Sequence, residues 1–364
     1  MAAHNGKYIV ELLISPNHGL YHASCALSGL AQLASERAIT LRAKTAPALD
    51  PHPRALLHFR AQDPNGTNRS VVIDFADAAD SFSIPAIEHS DIYFKRSFMA
   101  EHIIRLPTHL QPKVRSYGLN FAALDRRAIP LHLRIATHQL VQNLLSRRNH
   151  KPFSVLREYF QRLGLAYGIP PTTSFERRYP VEANNSNPKV LLQTRLWPPR
   201  TTTDDMTAVN TSRIALVRTL KTVLGDRFVG GILTDAFSLS NCPHTLLVGH
   251  KNMREYADTL KEVDIGIYVR GLHHSLAFKM AEYLAAGLCI VSEPITHELP
   301  VPLEDGINYL SFRDHDECVD KCAWLQTHPE SARRMRNANI DYYKKWVAPR
   351  AHMMRTLESS FSSS

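Results

Sequence analysis

The chain has 364 residues, 44% of them hydrophobic, which is enough apolar material for the cores of two domains of ordinary size. Its formal net charge of +9 favours anionic partners, either nucleotide diphosphates, nucleic acid or an anionic membrane surface. No apolar run approaches the roughly 20 residues of a membrane span and no export signal is recognisable at the N-terminus, so we expect a cytoplasmic protein.

The first elements in the chain alternate between strand and helix patterns. Lys7 to Ser15 is a buried strand pattern, and after a loop with Gly19 the residues from Tyr21 to Leu33 have helical spacing. A strand, a glycine-containing loop and a helix are the opening of a doubly wound α/β domain. The apolar runs 55–60 and 70–75, on either side of Asn65-Gly66, predict a β-hairpin.

Charged side chains follow two of these predicted strands. Asp77 follows the hairpin, and aspartates at the carboxyl end of a strand either take part in chemistry or cap the next helix. The short strand Ile92 to Phe94 ends in Lys95 and Arg96. Two cations after buried residues predict a binding site for phosphate or for another anionic group.

The middle of the chain is basic and then irregular. Residues 126–148 predict an amphipathic helix with basic ends, and residues 151–167 continue the pattern. This helix either lies on an anionic membrane or exposes a solvated face, and no nucleic-acid-binding motif is present.

Residues 169–187, rich in Pro, Ser, Thr and Asn, are a linker. We place a domain boundary near residue 185, giving domains 1–185 and 186–335 and a final helical segment 336–364 that is interrupted at Pro349.

The second domain begins with a strand and continues with alternating helices and strands. The predicted strands are 188–194, 228–233 and 245–248, and the predicted helices are 210–224 and 253–262. Val263 to Val269 is a further buried strand. A basic loop, 270–275, leads to a helix from Leu276 to Ala286, which Gly287 ends as a C-cap. Leu288 to Val291 completes a βαβ unit.

The loop of this βαβ unit is suited to an anion. It lies at the carboxyl end of a strand and the amino end of a helix, where unpaired N–H groups favour negative charge. Arg270, Ser275 and Lys279 add hydrogen-bond donors and positive charge there. Lys279 and Glu282 are three residues apart and share a helix face. Such a set suits a phosphate beside a hydroxylated sugar.

Residues 277–294, AFKMAEYLAAGLCIVSEP, resemble the helix of the form (F)xxxEALAxGxPVV in group 1 glycosyltransferases. Residues 304–310, EDGINYL, resemble the (E)DGxNGxL turn of the same family. The resemblance implies the GT-B fold, in which two Rossmann-like doubly wound domains face a cleft. The string YFKRS at 93–97 also resembles bacterial polysaccharide glycosyltransferases.

The resemblance implies roles in binding a nucleotide-sugar donor. Glu282 matches the family glutamate that binds the ribose, and Lys279, Arg270 and Ser275 would contact the diphosphate. Arg195 matches by position a cation in the first loop of the C-terminal domain, with Arg200 as a second candidate. His274 stands where many members have a glutamate near the donor sugar, so the chain departs from the family pattern there.

The resemblance also implies that the N-terminal domain binds the acceptor, a glycan or a lipid-linked glycan. The first loop of that domain faces the cleft in the family, which makes His18 and His22 candidates for acceptor contact or proton transfer. If the enzyme inverts configuration, His18 or Asp77 is the candidate general base. Lys95 and Arg96 would bind the acceptor, and the final helix would cross back to the N-terminal domain.

The predicted function is therefore transfer of a sugar from a nucleotide-sugar to a glycan or lipid-linked glycan. Asp204-Asp205 lies in a polar loop and is not a convincing metal motif, so we expect no metal and no other cofactor. The five cysteines form no CxxC pair, which fits a reducing compartment. Two other classes stay open: a sugar-nucleotide epimerase or hydrolase of the same fold, and a non-catalytic polyanion-binding protein.

Overall fold

A computed structural model describes residues 7–15, 19–50, 55–145, 160, 168–176, 187–198, 204–247 and 252–362. The chain divides into two compact units. The N-terminal unit consists of residues 1–172, 298–301 and 345–364, and the C-terminal unit of residues 173–297 and 302–344. The boundary expected near residue 185 lies outside the described residues, as does most of the basic segment 151–167.

Strands and helices alternate through most of the chain. The strands are β1 (Tyr8–Ile14), β2 (Ile39–Thr45), β3 (Leu56–Gln62), β4 (Asn68–Asp74), β5 (Ile92–Lys95), β6 (Val114–Ser116), β7 (Val190–Thr194), β8 (Phe228–Ile232), β9 (Ile265–Tyr268), β10 (Cys289–Ser292) and β11 (Leu310–Ser311). The helices are α1 (Leu20–Ser35), α2 (Ile84–Glu88), α3 (Ala100–Ile103), α4 (Ile129–Leu145), α5 (Thr172–Phe175), α6 (Asp204–Leu224), α7 (Ala236–Asn241), α8 (Met253–Glu262), α9 (Lys279–Ala285), α10 (His315–Thr327), α11 (Pro329–Tyr342) and α12 (Pro349–Phe361).

The N-terminal unit is built on a six-stranded sheet with the order β2-β1-β3-β4-β5-β6. Neighbouring strands are parallel except where β3 runs antiparallel to β1 and β4. The antiparallel pair β3–β4 confirms the hairpin around Asn65-Gly66. Helix α12 packs on α1 so closely that a Cβ on Gly29 would lie 2.1 Å from the carbonyl oxygen of Pro349. The last helix of the chain therefore belongs to the core of the N-terminal unit.

The C-terminal unit has a five-stranded, wholly parallel sheet with the order β8-β7-β9-β10-β11. Its first strand, β7, lies between β8 and β9. The chain therefore runs from β7 toward one edge of the sheet to form β8, and from β9 toward the other edge to form β10 and β11. In doubly wound sheets, ligands bind outside the carboxyl ends of the strands at this switch point. The α/β class, with a sheet in each of two units, is confirmed, whereas the cleft stays a prediction.

Several predicted elements have different extents. The strand predicted at 245–248 is wrong for its described part, because Thr245 ends a 3₁₀ turn and Leu246 makes a single bridge to Ile232. The helix predicted from Asn210 begins at Asp204. The helix predicted from Leu276 begins at Lys279 and ends, as predicted, before Gly287, whose φ of +59° is the left-handed conformation of a helix C-cap.

Candidate functional site

The site is built at the switch point of the C-terminal sheet. Arg195 follows β7, Arg270 follows β9 by one residue, and Glu293 follows β10. A carboxylate oxygen of Glu293 accepts a hydrogen bond of 2.7 Å from the backbone N–H of Arg270. Because all these strands are parallel, the three residues lie at one edge of the sheet.

Arg213, on helix α6, connects the loops that follow β7 and β9. Its guanidinium donates one hydrogen bond of 2.7 Å to the carbonyl of Arg195 and one of 2.6 Å to the carbonyl of Arg270. The residue is 6% exposed. Burial lowers the pKa of Arg213 to about 10, with Glu293 and Tyr268 opposing this shift and Arg195 and Arg270 adding to it. Sequence analysis missed this residue.

Lys279 is half-buried at the first position of α9. Its ammonium lies 4.3 Å from the ring centroid of Tyr256, a cation–π contact. Burial lowers the pKa of Lys279 to about 8, the Glu282 carboxylate opposes this shift, and the positive charges of Arg195 and Arg213 add to it. Lys279, Arg195 and Arg213 come from three different segments, and the last two are joined by the hydrogen bond from the Arg213 guanidinium to the Arg195 carbonyl.

Glu282 is one turn further along α9 and is only 4% exposed. Burial raises the pKa of its carboxyl group, while the Lys279 ammonium and the Tyr256 hydroxyl oppose the rise. The carboxylate therefore lies among protein groups, and its predicted contact with a ribose stays a prediction. Tyr256, which neighbours both Lys279 and Glu282, was not anticipated from the sequence.

Arg195 is exposed, and its guanidinium lies 5.1 Å from the ring centroid of Trp197. The main chain of Trp197 is held by Asn210, whose amide oxygen accepts from the Trp197 N–H and whose amide nitrogen donates to the Trp197 carbonyl. The side chain of Arg195 is therefore presented from a fixed turn. Its predicted role in binding a diphosphate fits this exposure, and Arg200 lies outside the described residues.

The loop between β9 and α9 holds the other predicted donor-binding residues. Arg270 pairs with Asp205 at 2.7 Å, so its guanidinium already has an anionic partner. Ser275 is buried, and its carbonyl accepts from the N–H of Gly271 at 3.0 Å, which closes the loop. His274 is exposed with a φ of +55°. Non-glycine residues rarely adopt this conformation, and it is found preferentially at functional sites.

The N-terminal unit places Arg96 and Asp77 together. The Arg96 guanidinium is 4% exposed and lies 2.5 Å from a carboxylate oxygen of Asp77, which is 55% exposed. His22 is a neighbour of both: burial lowers the pKa of His22, Arg96 adds to this shift and Asp77 opposes it. An exposed carboxylate beside a cation and a neutral imidazole is a plausible set for acceptor binding. His18 lies outside the described residues.

Lys95 has a different environment from Arg96. Its side chain is fully buried, and its ammonium lies 3.0 Å from Asp74 and donates to the carbonyl of Ser81 at 2.9 Å. Asp74 also accepts a hydrogen bond of 2.6 Å from Tyr93 and stands opposite Lys95 in the register of β4 and β5. This placement argues against the predicted contact between Lys95 and an acceptor, because the buried ion pair has no free access to a ligand.

Among the described residues, no group of three or more His, Cys, Asp or Glu side chains is placed to hold a metal ion, and all five cysteines are buried thiols. No helix of the described residues has the length and apolar character needed to cross a membrane.

Two of the solved structures that resemble this chain, both at low similarity, are described as glycosyltransferases. The C-terminal domain of a glycosyl transferase group 1 family protein (LpcC) from Francisella tularensis is 11% identical over 48% of this chain and 96% of its own, with a TM-score of 0.32. A glycosyltransferase from Rickettsia africae is 10% identical over 74% of this chain and 62% of its own, with a TM-score of 0.39. Because these TM-scores are below 0.5, we base no conclusion on them.

The family comparison is more specific. No curated protein matches the chain in sequence. Residues 213–356 match the model of a family described as glycosyl transferase-like. The matched segment begins at the buried arginine of the site and contains both sequence motifs, at 277–294 and 304–310. The predicted resemblance to group 1 glycosyltransferases is confirmed over this segment.

Proposed function

We propose that the C-terminal unit binds a nucleotide-sugar and that the enzyme transfers its sugar to a hydroxyl group of a glycan or lipid-linked glycan. The observation that supports this proposal is the convergence of Arg195, Arg213 and Lys279 at the switch point of the sheet. The positive charges of Arg195 and Arg213 lower the pKa of Lys279, and cations arranged in this way repel each other unless an anion binds among them. A diphosphate carries the charge that such a site requires.

Positive charge at this position assists the chemistry as well as binding. When the bond between the sugar and the diphosphate breaks, negative charge grows on the departing phosphate, and fixed cations stabilise that charge. Arg195 is exposed and Lys279 is half-buried, so the contact with the diphosphate is assigned to these two side chains. Arg270 contributes to the site mainly through its carbonyl, which accepts a hydrogen bond from Arg213, because its guanidinium pairs with Asp205. No metal ion or other cofactor is required in this scheme.

Glu282 is proposed to bind the ribose of the donor. Because Glu282 is only 4% exposed, its carboxylate must turn away from Tyr256 and Lys279 when the diol enters. On the acceptor side, Asp77 is the general base of an inverting reaction, with Arg96 holding its carboxylate. His18 stays a second candidate for the base, and His274 is proposed to lie near the donor sugar.

The direct test is a panel of nucleotide-sugars incubated with the enzyme in EDTA, with release of nucleoside diphosphate as the measured product. We expect one donor class to give release, which a glycan acceptor accelerates. Recovery of an epimerised nucleotide-sugar, or of free sugar whether or not acceptor is present, favours the epimerase or hydrolase alternative instead. Binding without turnover that disappears at high salt favours a polyanion-binding protein.

We also propose peripheral contact with an anionic membrane at the cytoplasmic face, since helix α4 exposes apolar side chains. Leu133, Val141, Leu144 and Leu145 are between 37% and 77% exposed. Leu133, Val141 and Leu144 lie within one stripe of the helix, and the sequence after the helix is basic. The protein is expected to float with vesicles that contain phosphatidylglycerol. Simultaneous replacement of Leu133, Val141 and Leu144 by Ser should abolish this flotation. Equal flotation of the variant would contradict this contact.

A further inference from the structure

Arg213 differs from the other cations of the site in being enclosed by protein. Its two terminal nitrogens donate to the carbonyls of Arg195 and Arg270, and its Nε–H is buried with no hydrogen-bond partner among the described residues. No carboxylate of the described residues lies within the 4.0 Å of an ion pair with it. A buried cation that is held only by carbonyl dipoles is costly for the fold.

We infer that Arg213 is a positioning residue for the diphosphate of the donor: it ties together the loops after β7 and β9 and gives the site a buried charge that the bound anion compensates. This inference rests on the proposed function. The geometry supplies both parts of the role. Each loop is attached to the guanidinium through the carbonyl of its arginine, so the distance between the loops is fixed by one rigid, planar group.

The pairing of Arg270 with Asp205 strengthens this assignment. Because the Arg270 guanidinium is occupied at 2.7 Å, its charge is largely compensated before any ligand binds. Among the described residues the charge of Arg213 has no ion-pair partner of this kind, and Glu293 only opposes the lowering of its pKa. Much of the uncompensated positive charge at this sheet edge is therefore buried, where solvent screens it least.

The test is calorimetric titration of the full-length protein with inorganic pyrophosphate in EDTA. Arg213→Gln should weaken binding on the order of 10-fold, because a buried charge near the anion is lost. Arg213→Lys keeps the charge but cannot bridge both carbonyls, so it should recover part of the affinity while the donor KM stays raised. Arg218→Gln is the matched control, since Arg218 is exposed on the same helix and should bind like the wild type.

The outcomes separate this inference from the proposed function. Unchanged pyrophosphate binding by Arg213→Gln, even with a lower Tm, would overturn the inference and leave the proposed function intact. Absence of binding by the wild type would count against the proposed function itself and against the inference with it. If Arg213→Gln does not fold, the donor KM of Arg213→Lys decides: a raised KM supports the inference and an unchanged one overturns it. If neither variant folds, Arg213 serves the fold alone and the inference is wrong.

Discussion

Replacing Lys279 by methionine is expected to lower kcat/KM for glycosyl transfer by about 10²- to 10³-fold, as removal of a single group that stabilises charge in a transition state does. Methionine preserves most of the aliphatic side chain over Tyr256, so the loss would come from the charge. The measurement is the initial rate of nucleoside diphosphate release with the donor identified in the panel. Lys261→Met is the matched control, because Lys261 forms an exposed pair with Asp258 on neighbouring α8.

The same residue predicts the pH dependence of the enzyme. The pKa of Lys279 is lowered to about 8, so the ammonium is present at neutral pH and is lost as the pH rises through 8. We expect kcat/KM of the wild type to fall about tenfold per pH unit above that value. Lys279→Arg keeps its charge and should show no such fall. A wild-type profile that stays level to pH 9.5 would contradict the assigned role.

Acid is expected to destabilise the N-terminal unit strongly, because two buried histidines are neutral in the folded protein. Burial lowers the pKa of His132 to about 4. It lowers that of His352 to about 3, with Arg355 adding to the shift and the Tyr117 carbonyl opposing it. Above pH 6.5 both are neutral in the folded and the unfolded states. Below it the unfolded chain takes up protons first, so the free energy of unfolding falls until the folded pKa is reached.

The expected loss between pH 6.5 and 4.5 is on the order of 4 kcal/mol for the two residues together, because each approaches its limiting slope of about 1.4 kcal/mol per pH unit only well below pH 6.5. Urea unfolding at several pH values measures it. His132→Leu should remove about half of the pH dependence, whereas His109→Gln, at an exposed position in the same unit, should leave it unchanged. A pH dependence that is identical in wild type and His132→Leu would show that folding does not lower the pKa of this imidazole and would contradict the prediction.

The sequence predicts the parts of the site that depend on local pattern. The βαβ unit of residues 263–291 forms as predicted, because its strands are continuous apolar runs and Gly287 fits a left-handed cap. The edge strand β2 was not predicted, since its side chains alternate between partly buried and exposed with little apolar content. Helix α6 begins earlier than predicted because its first turns are polar.

Residues whose roles depend on distant partners were harder to predict. Arg213 has no distinguishing sequence context, and its role follows from two carbonyls 18 and 57 residues away. Lys95 and Arg96 are adjacent cations at the end of the same predicted strand, so the sequence predicts the same role for both. Strand register places Asp74 opposite Lys95, which buries it, while Arg96 lies next to the exposed Asp77. Pairing between strands, which no local pattern encodes, closes Lys95 off with Asp74, whereas the equally buried Arg96 pairs with a carboxylate that reaches the surface.

The most direct test of the account is a binding cycle that combines the Lys279→Met variant with removal of one phosphate from the ligand. Titration calorimetry would measure the Kd of a nucleoside diphosphate and of its monophosphate for wild type and variant. If Lys279 contacts the diphosphate, the second phosphate should improve binding by about 10- to 100-fold in the wild type and by much less in the variant. An equal improvement in both proteins would contradict the account.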